Sequence, residues 1–412
     1  MRLSRFNFNQ QNDQHWVVYN SASSNCIVLT DQAYNDFIHM TCEEGDRQYY
    51  RLLGFYVDDD FDEVNSLIEN SKYRLNNFSK KKFRVLTTTC CNARCPYCYE
   101  AGVNPVTMSD ETARAVADFI LTQSKGLKTI EIEWFGGEPL LNVQVIDLIC
   151  NRIMEKKPSE LKFESSIVSN GYLIDDSIVQ RMVERWKLYQ IQITLDGMSD
   201  EYERVKALGK GSFDKVIRNI SVLCAAGIHV VVRLNFDNNN VAKLHKLIEY
   251  LSLLPFKDQL EVYPAKINDG AQRTDFALES ETMQMYRILH DYGFIRRLKL
   301  LPRTMKTPCA ASHRGYYTIN ANGLLFKCDR KLLAGNAVGS VFEPNQINTK
   351  AEQEWESFVL PKKCLICKMT PLCWGGCIYE RINGQDYCYI TEKIVNNNLR
   401  LILEDYLKEI LK

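Results

Sequence analysis

The chain has 412 residues, of which 45% are apolar and 25% are charged. At about 150 residues per domain, this length predicts roughly two to three domains. With only 20 Gly and 11 Pro, the composition excludes collagen-like and disordered classes and small disulfide scaffolds. Basic and acidic residues are equal at 51 each, so no overall charge favours a nucleic-acid or anionic membrane partner, and we predict neither.

The most unusual feature of the composition is the presence of 15 cysteines. The first residues contain no apolar signal-peptide core, and no run of about 18 apolar residues predicts a membrane span. Without export, disulfides are not expected, which predicts a reduced, cytoplasmic protein. Thiols in such a protein usually hold metal or perform cysteine chemistry, so their spacing is the main guide to function.

Six short segments rich in β-branched and aromatic residues predict buried strands. Helix-period segments lie between them, as in residues 113–121, where the apolar residues share one stripe. This alternation predicts parallel βαβ units with ligands at the C-terminal ends of the strands, and six units predict a partial (β/α)6, TIM-like barrel in an α/β fold. The predicted strands cover residues 84–89, 129–135, 163–169, 190–195, 229–236 and 260–264.

The two ends of the chain have a different texture. Residues 16–19 and 26–30 predict a hairpin, which is followed by a short helix and an acidic turn. After about residue 305 the alternation stops and cysteines crowd in before a final amphipathic helix. We therefore predict domains at residues 1–80, 81–304 and 305–412. The predicted stripe of the final helix consists of Leu399, Ile402, Leu403, Tyr406, Leu407, Ile410 and Leu411.

Three cysteines directly follow the first predicted strand, as Cys91-x3-Cys95-x2-Cys98. Three thiolates in a tight loop suit a cubane iron–sulfur cluster, because its four irons each need one outer ligand and one iron stays open for a cofactor. The alternatives are a zinc knuckle without its fourth ligand, or free buried thiols. Cys90 falls outside the spacing and is predicted to be a small core residue.

Seven further cysteines lie in the last third of the chain. Their C-x2-C pair also occurs in structural zinc ribbons, but seven thiols match neither one nor two closed tetrahedral sites. A zinc-binding structural protein is therefore the alternative from another class. The seven are Cys309, Cys328, Cys364, Cys367, Cys373, Cys377 and Cys388.

The first cysteine loop, with Tyr97 before its last cysteine, resembles that of radical S-adenosylmethionine enzymes. Gly136-Gly137-Glu138-Pro139 follows the second strand and resembles the family segment that receives the methionine amino group. The resemblance implies one [4Fe-4S] cluster on Cys91, Cys95 and Cys98, with S-adenosylmethionine as the second cofactor.

Two more segments at strand ends resemble family motifs. Ser169-Asn170-Gly171 and Thr194-Leu195-Asp196-Gly197 correspond to positions that contact the ribose and the methionine carboxylate. Arg204 resembles an arginine found shortly after the fourth strand. Each motif alone is weak, because a glycine after a strand usually marks an ordinary turn. Successive strand ends that all carry such motifs are hard to obtain by chance.

The seven later cysteines, in this order around Gly323, resemble the SPASM extension, which carries two auxiliary clusters. The resemblance implies three [4Fe-4S] clusters in all. It assigns one auxiliary cluster to Cys364, Cys367, Cys373 and Cys388, and the other to Cys309, Cys328 and Cys377.

The second of these auxiliary sets has only three thiols. Sulfatase-maturing relatives have an additional cysteine shortly after the first one, but residues 310–316 contain none. This departure weakens a sulfatase-maturing assignment. The open iron could bind a substrate thiolate, or His313 could be the fourth ligand, although a lone histidine is more often a hydrogen-bonding or surface residue.

Asp329 follows Cys328 and resembles the proposed general base of sulfatase-maturing enzymes. A carboxylate there could take the proton released when a substrate radical is oxidised. The alternative is a surface salt bridge with Arg330 or Lys331.

The resemblance covers about residues 83–390 and implies a maturase of ribosomally made peptides. Such an enzyme abstracts hydrogen with a 5′-deoxyadenosyl radical and forms a thioether or carbon–carbon cross-link. The implied partners are a peptide or protein with a leader segment and a reducing donor such as flavodoxin or ferredoxin. Residues 1–80 would be a winged-helix-like leader-recognition domain or, alternatively, a cap on the barrel. The rival reaction is oxidation of a sulfatase Ser or Cys to formylglycine.

Overall fold

The computed structural model describes residues 1–12, 14–237, 240–267, 278–295, 300–330, 332, 334–357, 359–385, 388 and 390–410. Within these ranges the strands are β1 (Arg2–Leu3), β2 (Asn7–Asn12), β3 (His15–Asn20), β4 (Cys26–Thr30), β5 (Tyr56–Val57), β6 (Lys80–Thr88), β7 (Thr129–Gly136), β8 (Lys162–Ser169), β9 (Leu188–Leu195), β10 (His229–Phe236), β11 (Leu260–Lys266), β12 (Tyr317–Ile319), β13 (Leu324–Phe326) and β14 (Gly339–Ser340).

The α-helices of the same ranges are α1 (Asp31–His39), α2 (Glu44–Leu52), α3 (Glu63–Asn76), α4 (Asp110–Gln123), α5 (Val143–Lys156), α6 (Asp176–Glu184), α7 (Ser199–Lys206), α8 (Ser212–Ala225), α9 (Val241–Ser252), α10 (Leu278–Asp291), α11 (Thr349–Glu356), α12 (Lys362–Leu365), α13 (Thr370–Cys373), α14 (Ile378–Ile382) and α15 (Glu392–Ile410). No helix in the described ranges is both long enough and apolar enough to cross a membrane.

The chain divides into two compact units, each built from segments that are separate in sequence. The three predicted domains are continuous stretches, and their roles stay a prediction. The first unit consists of Met1–Asn77, Gln272–Ala310 and Phe358–Lys412, and the second of Phe78–Ala271 and Ala311–Ser357.

The second unit contains a nine-stranded sheet in the order β11-β10-β9-β8-β7-β6-β12-β13-β14. Strands β6 to β11 are parallel neighbours in chain order, which confirms the predicted partial barrel. Strand β12 extends the sheet by pairing parallel to β6, and the short strands β13 and β14 follow antiparallel. The six predicted strands all form. Strand β6 begins at Lys80, before the predicted start at residue 84. The prediction missed this first part because its residues are mostly charged and carry no apolar signal.

Apolar side chains on one face of the sheet pack against the helices. On β7, Ile130, Ile132 and Trp134 are fully buried, and Phe83 of β6 meets Phe119 of α4 edge to face. Because side chains alternate along a strand, the opposite face of β6 and β7 carries charged residues. The charged residues Lys80, Lys82, Arg84, Glu131 and Glu133 occupy these alternate positions.

The first unit contains the three-stranded antiparallel sheet β2-β3-β4. The predicted hairpin is confirmed as β3 and β4, whereas β2 was missed because its sequence, NFNQQN, buries only Phe8. Helix α15 packs on β2 and β3, and its predicted stripe is buried at Leu399, Ile402 and Leu403. The last residue of that stripe, Leu411, lies outside the described residues.

Candidate functional site

The cysteine loop after β6 packs main chain against main chain on the end of β7. Gly137 N donates to Thr88 O at 3.1 Å, and Glu138 N donates to Cys90 O at 2.9 Å. A Cβ on Gly137 would lie 2.2 Å from Cys90 O, and one on Gly136 would lie 2.1 Å from Thr88 O. Both positions therefore require glycine, because the main chain at the end of β7 lies so close to the main chain of the cysteine loop.

Glu138 connects the ends of β7 and β8. Its side chain is fully buried, and its two carboxylate oxygens accept from Asn170 N at 2.8 Å, Ser169 Oγ at 2.9 Å and Leu140 N at 3.1 Å. Burial raises the pKa of Glu138, although these three donors oppose the shift. The Glu138 carboxyl group thus holds two predicted motifs together: residues 136–139, to which it belongs, and residues 169–171, from which it accepts hydrogen bonds.

Asn170 extends this network into the cysteine loop. Its Nδ2 donates to Asn92 Oδ1 at 2.7 Å. Asn92 Nδ2 is buried and has no hydrogen-bond partner among the described residues. A buried donor inside the loop fits a ligand that presents acceptor atoms, as the sulfides of an iron–sulfur cluster do.

The end of β9 places a third predicted motif beside the loop. Asp196 is buried and forms an ion pair with Lys206 at 3.1 Å, and it also accepts a hydrogen bond from the Tyr97 hydroxyl. Thr194 lies two residues earlier, in register with Arg233 of β10. Arg204, by contrast, has a side chain that is 66% exposed and pairs with Glu201 on α7. The structure thus brings Tyr97 and Asp196 together but leaves Arg204 on the exposed side.

The three thiols of the loop influence one another. Burial raises the pKa of Cys91, the N–H of Ala93 opposes this, and the Cys95 and Cys98 thiols add to the rise. The Ala93 N–H lies 3.3 Å from the Cys91 sulfur. Burial likewise raises the pKa of Cys98, and backbone N–H groups of the next residues oppose it. N–H donors aimed at thiol sulfurs fit cluster ligation, since such bonds stabilise thiolates and tune cluster potentials.

In the first unit, four of the later cysteines lie near one another. Burial raises the pKa of Cys364 to about 11, and the thiols of Cys373, Cys367 and Cys388 contribute to the rise. Met369 N lies 3.4 Å from the Cys367 sulfur. These four are the set predicted for one auxiliary cluster. No three Cys, His, Asp or Glu side chains in the described ranges converge as ligands of a single metal ion.

The predicted three-thiol set is distributed over both units. Cys309 and Cys377 belong to the first unit and Cys328 to the second, so their grouping stays a prediction. The candidate ligand His313 also belongs to the second unit, where burial, and then the charge of Lys327, lowers its pKa.

Asp329 forms its ion pair with a residue of the first barrel strand. Its Oδ2 lies 2.5 Å from Arg84 Nη1 and accepts from the Tyr99 hydroxyl at 3.2 Å. Arg84 also pairs with Glu133 of β7 at 2.5 Å. Lys331, one of the two partners considered from sequence, lies outside the described residues. The Asp329 carboxylate is therefore held on the charged face of β6, beside Tyr99, which directly follows the proposed ligand Cys98.

Four residues of this region were missed in the sequence. Asn92, Tyr99 and Lys206 stand in no recognisable spacing. Arg84 did have a signal, because the alternation of Lys80, Lys82 and Arg84 places three cations on one face of a strand. Charged side chains on such a face need buried partners, and that requirement could have pointed to an internal ionic site.

Comparison with known proteins gives a family for this region. A family model described as the radical SAM superfamily matches residues 85–251. The chain is 27% identical over 172 residues to the uncharacterized protein MJ0907 of Methanocaldococcus jannaschii, which covers 42% of this chain and 58% of that protein. The match thus spans less than two thirds of that relative's length.

Other similarities extend further along the chain. The radical SAM cyclopropyl synthase TigE of Paramaledivibacter caminithermalis is 23% identical over 391 residues, covering 85% of this chain and 80% of TigE. A cysteine-type anaerobic sulfatase-maturating enzyme of Clostridium perfringens is 20% identical over 330 residues, covering 72% and 88%. The structure of Streptococcus suis SuiB bound to S-adenosylmethionine has a similar fold, with a TM-score of 0.53, 13% identity and coverage of 95% and 99%.

The family match and the geometry describe the same part of the molecule. Residues 85–251 run from β6 to α9 and contain the Cys91–Cys98 loop. They also contain Glu138, Asn170 and Asp196, whose hydrogen bonds hold the strand ends around that loop. Since the cysteine loop and the motifs packed against it all fall within the match, we conclude that residues 85–251 form a domain of the radical SAM superfamily.

Proposed function

We propose that this enzyme is a peptide maturase that forms a thioether or carbon–carbon cross-link in its substrate. The observation that carries the proposal is the convergence of the ends of β7, β8 and β9 on the cysteine loop, through Glu138, Asn170 and Asp196. When bound, the [4Fe-4S] cluster and S-adenosylmethionine supply a 5′-deoxyadenosyl radical that abstracts a hydrogen atom from the peptide.

The chain's own residues would bind and orient these groups. Cys91, Cys95 and Cys98 are the proposed cluster ligands, supported by the N–H groups directed at Cys91 and Cys98. Most of the proposed S-adenosylmethionine contacts belong to the ends of the parallel strands, where ligands of such barrels bind, whereas Tyr97 lies in the loop and Arg204 on α7 with an exposed side chain. They are Tyr97, Gly136, Gly137, Glu138, Ser169, Asn170, Thr194, Asp196 and Arg204.

Two observations favour a cross-linking maturase over a sulfatase-maturing enzyme. TigE, named a cyclopropyl synthase, aligns with 85% of this chain, against 72% for the sulfatase-maturating relative. The absence of a cysteine in residues 310–316 points the same way.

The N-terminal sheet offers a binding edge for a leader peptide. Strand β4 pairs with β3 on one side and is the last strand of its sheet as described. An extended peptide can add to such an edge through main-chain hydrogen bonds. Ile27 and Leu29 of β4 pack against the core of this unit and keep the strand in place. We therefore assign leader recognition to residues 1–80, and to β4 in particular.

Hydrogen exchange of the full chain tests this assignment. Adding a saturating precursor peptide should slow the exchange of amides in residues 26–30, because an added strand engages the free edge. Unchanged exchange there, with the peptide bound, would favour the alternative that residues 1–80 only cap the barrel.

The C-terminal cysteines are proposed to bind two auxiliary [4Fe-4S] clusters in a SPASM domain at residues 305–412. Cys364, Cys367, Cys373 and Cys388 would hold one, supported by the mutual effect of their thiols. Cys309, Cys328 and Cys377 would hold the other. These clusters would take up the electron released by the substrate radical, while a flavodoxin or ferredoxin in the cytoplasm supplies the electron for S-adenosylmethionine cleavage.

Asp329 is the proposed acceptor of the accompanying proton. Its Oδ2 is held by Arg84 and by the Tyr99 hydroxyl, and its Oδ1 lies 3.7 Å from the Cys328 sulfur. As a cluster-bound thiolate, Cys328 would donate no proton, so Oδ1 would be the oxygen that receives the proton. A fixed carboxylate with one engaged oxygen is suited to general-base work because its orientation does not depend on the substrate.

Anaerobic co-expression of the full chain with the peptide encoded beside its gene tests the proposed function. A cross-link should lower the peptide mass by two hydrogens and join two residues in the fragment spectrum. An aldehyde on a sulfatase Ser or Cys would establish the rival reaction instead. Colourless protein that carries zinc and forms no 5′-deoxyadenosine would contradict both.

A further inference from the structure

Lys206, the last residue of α7, is a buried cation that was not among the site residues predicted from the sequence. Its side chain is 5% exposed and that of its partner Asp196 is 1% exposed. Burial alone would lower the pKa of Lys206, but Asp196, together with Tyr97, Cys95 and Tyr202, outweighs burial, so the pKa lies well above its ordinary value. Lysine is rarely buried to this degree unless it is paired, and here it keeps its positive charge.

The same residue holds the cysteine loop at two points. Its main-chain oxygen accepts from Arg94 N at 2.9 Å, and its Nζ donates to the Tyr97 hydroxyl at 3.2 Å. Helix α7 stops directly after it, because Ala207 has a positive φ of 54°. The two attachments, at Arg94 and Tyr97, lie on either side of Cys95.

The charge of Lys206 also acts on the loop. Its Nζ lies 3.2 Å from the hydroxyl of Tyr97, two residues after Cys95, and the Cys95 thiol is among the groups that raise the pKa of Lys206. Reduction adds negative charge to a cluster, and a nearby buried cation stabilises that charge in a low-dielectric site. Arg204 cannot play this part from α7, since its side chain is 66% exposed.

We propose that Lys206 is a positioning residue that fixes the Cys91–Cys98 loop and raises the reduction potential of the cluster bound there. The proposal rests on the proposed cluster ligands Cys91, Cys95 and Cys98. It predicts that loss of the ammonium group loosens the loop even before a cluster is present. It also predicts that the cluster becomes harder to reduce.

The test compares the full chain with Lys206→Met, Lys206→Arg and a matched control, Lys215→Met. Lys206 Nζ lies over the Tyr97 ring, 5.8 Å from its centre. Lys215 is a suitable control because its Nζ likewise lies over a tyrosine ring, at 4.0 Å from the centre of Tyr172. Two measurements are made on each protein. The first is hydrogen exchange of residues 91–98 in the metal-free chain. The second is an anaerobic potential titration of the reconstituted cluster, followed by electron paramagnetic resonance with and without S-adenosylmethionine.

For Lys206→Met, we expect loop amides to exchange about tenfold faster. A factor of ten corresponds to about 1.4 kcal/mol, which is the free energy expected for the loss of one charge-assisted hydrogen bond. The potential of the cluster that responds to S-adenosylmethionine should fall. Lys206→Arg should stay close to the unchanged chain in potential, because it keeps the charge, and Lys215→Met should change neither quantity. Should Lys206→Met fail to fold, Tyr97→Phe keeps Lys206 but removes the hydroxyl that bonds to Lys206 and to Asp196, and it should also speed loop exchange.

Three outcomes would overturn the proposal: unchanged exchange and potential in Lys206→Met, a potential in Lys206→Arg as low as in Lys206→Met, or unchanged exchange in Tyr97→Phe. A different result bears on the proposed function instead. If the unchanged chain binds no cluster on reconstitution, the ligand assignment fails, whatever Lys206 does.

Discussion

The two segments of the second unit that carry proposed cluster cysteines are held in place in different ways. The loop at residues 88–99 is held mainly by main-chain groups, such as Gly137 N on Thr88 O and Arg94 N on Lys206 O. The segment at residues 311–330, which carries Cys328, is held by strand β12 and by side-chain pairs. Two of these pairs, Tyr317 with Glu352 and Lys327 with Glu356, join the segment to α11. The third, Asp329 with Arg84, joins it to strand β6 of the barrel.

Buried cations sharpen the contrast between the two attachments. Beside the loop, the charge of Lys206 is paired with that of Asp196. Beside the second segment, Lys81 of β6 bonds to the side-chain oxygen of Gln123 at 3.0 Å, and burial followed by the charge of Lys327 lowers its pKa to about 8. The first attachment is therefore electrically balanced, whereas the second carries an unfavourable buried charge.

The largest expected difference between the segments concerns their cysteines. Cys95→Ser should abolish 5′-deoxyadenosine formation, because the radical cluster loses one of only three ligands. Cys328→Ser should leave 5′-deoxyadenosine formation in place and abolish the peptide product, because it affects only an auxiliary cluster. Chromatographic assays of both products on anaerobically reconstituted proteins check this, with Cys150→Ser, a buried core thiol far from any proposed ligand in sequence, as the control.

Equal loss of 5′-deoxyadenosine in Cys95→Ser and Cys328→Ser would remove the functional distinction between the two segments. Iron analysis of the same samples separates loss of one cluster from general unfolding.

Asp329→Asn should give the next largest effect. The amide keeps the size of the side chain but cannot accept the proton, so product formation should fall about a hundredfold or more. Formation of 5′-deoxyadenosine should continue, uncoupled from product. Rates of both products in one reaction give the coupling ratio, and an unchanged ratio would exclude Asp329 from the mechanism.

Arg84→Met tests how the second segment is positioned. Without the guanidinium, Asp329 Oδ2 keeps only the Tyr99 hydroxyl, so the ratio of product to 5′-deoxyadenosine should fall about tenfold, as for loss of one charge-assisted hydrogen bond. Lys82→Met is the matched control, since Lys82 pairs with Glu131 and Glu133 on the same face of the sheet. A similar fall in both variants would show that the charged face matters as a whole and that Arg84 has no specific role.

The same contrast explains what the sequence could predict. Contacts of the first loop depend on main-chain approach, which demands glycine at Gly136 and Gly137 and leaves a short recognisable motif. The six parallel strands were predictable for a similar reason, because apolar alternation is local. The pair of Arg84 and Asp329 joins residues 245 positions apart, and no local spacing records such a partner. Strand β2 was missed because its residues are mostly polar and give no local strand signal. It forms through its main-chain pairing with β3.

Lys81→Met should give the smallest effect and the opposite sign, since it removes an unfavourable charge. The folded pKa of about 8 lies below the ordinary 10.5, so the folded chain binds fewer protons than the unfolded chain between these values. Stability of the unchanged protein should therefore rise with pH from about 8 to about 10.5, and below pH 8 the penalty is fully present. At pH 7, Lys81→Met should raise the free energy of unfolding by on the order of 3 kcal/mol.

Denaturant unfolding of the metal-free chain, measured from pH 7 to pH 10, checks the sign as well as the size. The difference between Lys81→Met and the unchanged protein should shrink towards zero as the pH rises, because Lys81 loses its charge. The adjacent Lys80→Met should instead destabilise the fold, since Lys80 pairs with Glu131 and Glu164. If Lys81→Met also destabilised the protein at pH 7, the charge of Lys81 would have to be balanced in the folded state. The two attachments would then both contain a balanced buried cation, and the contrast between Lys206 and Lys81 would be lost.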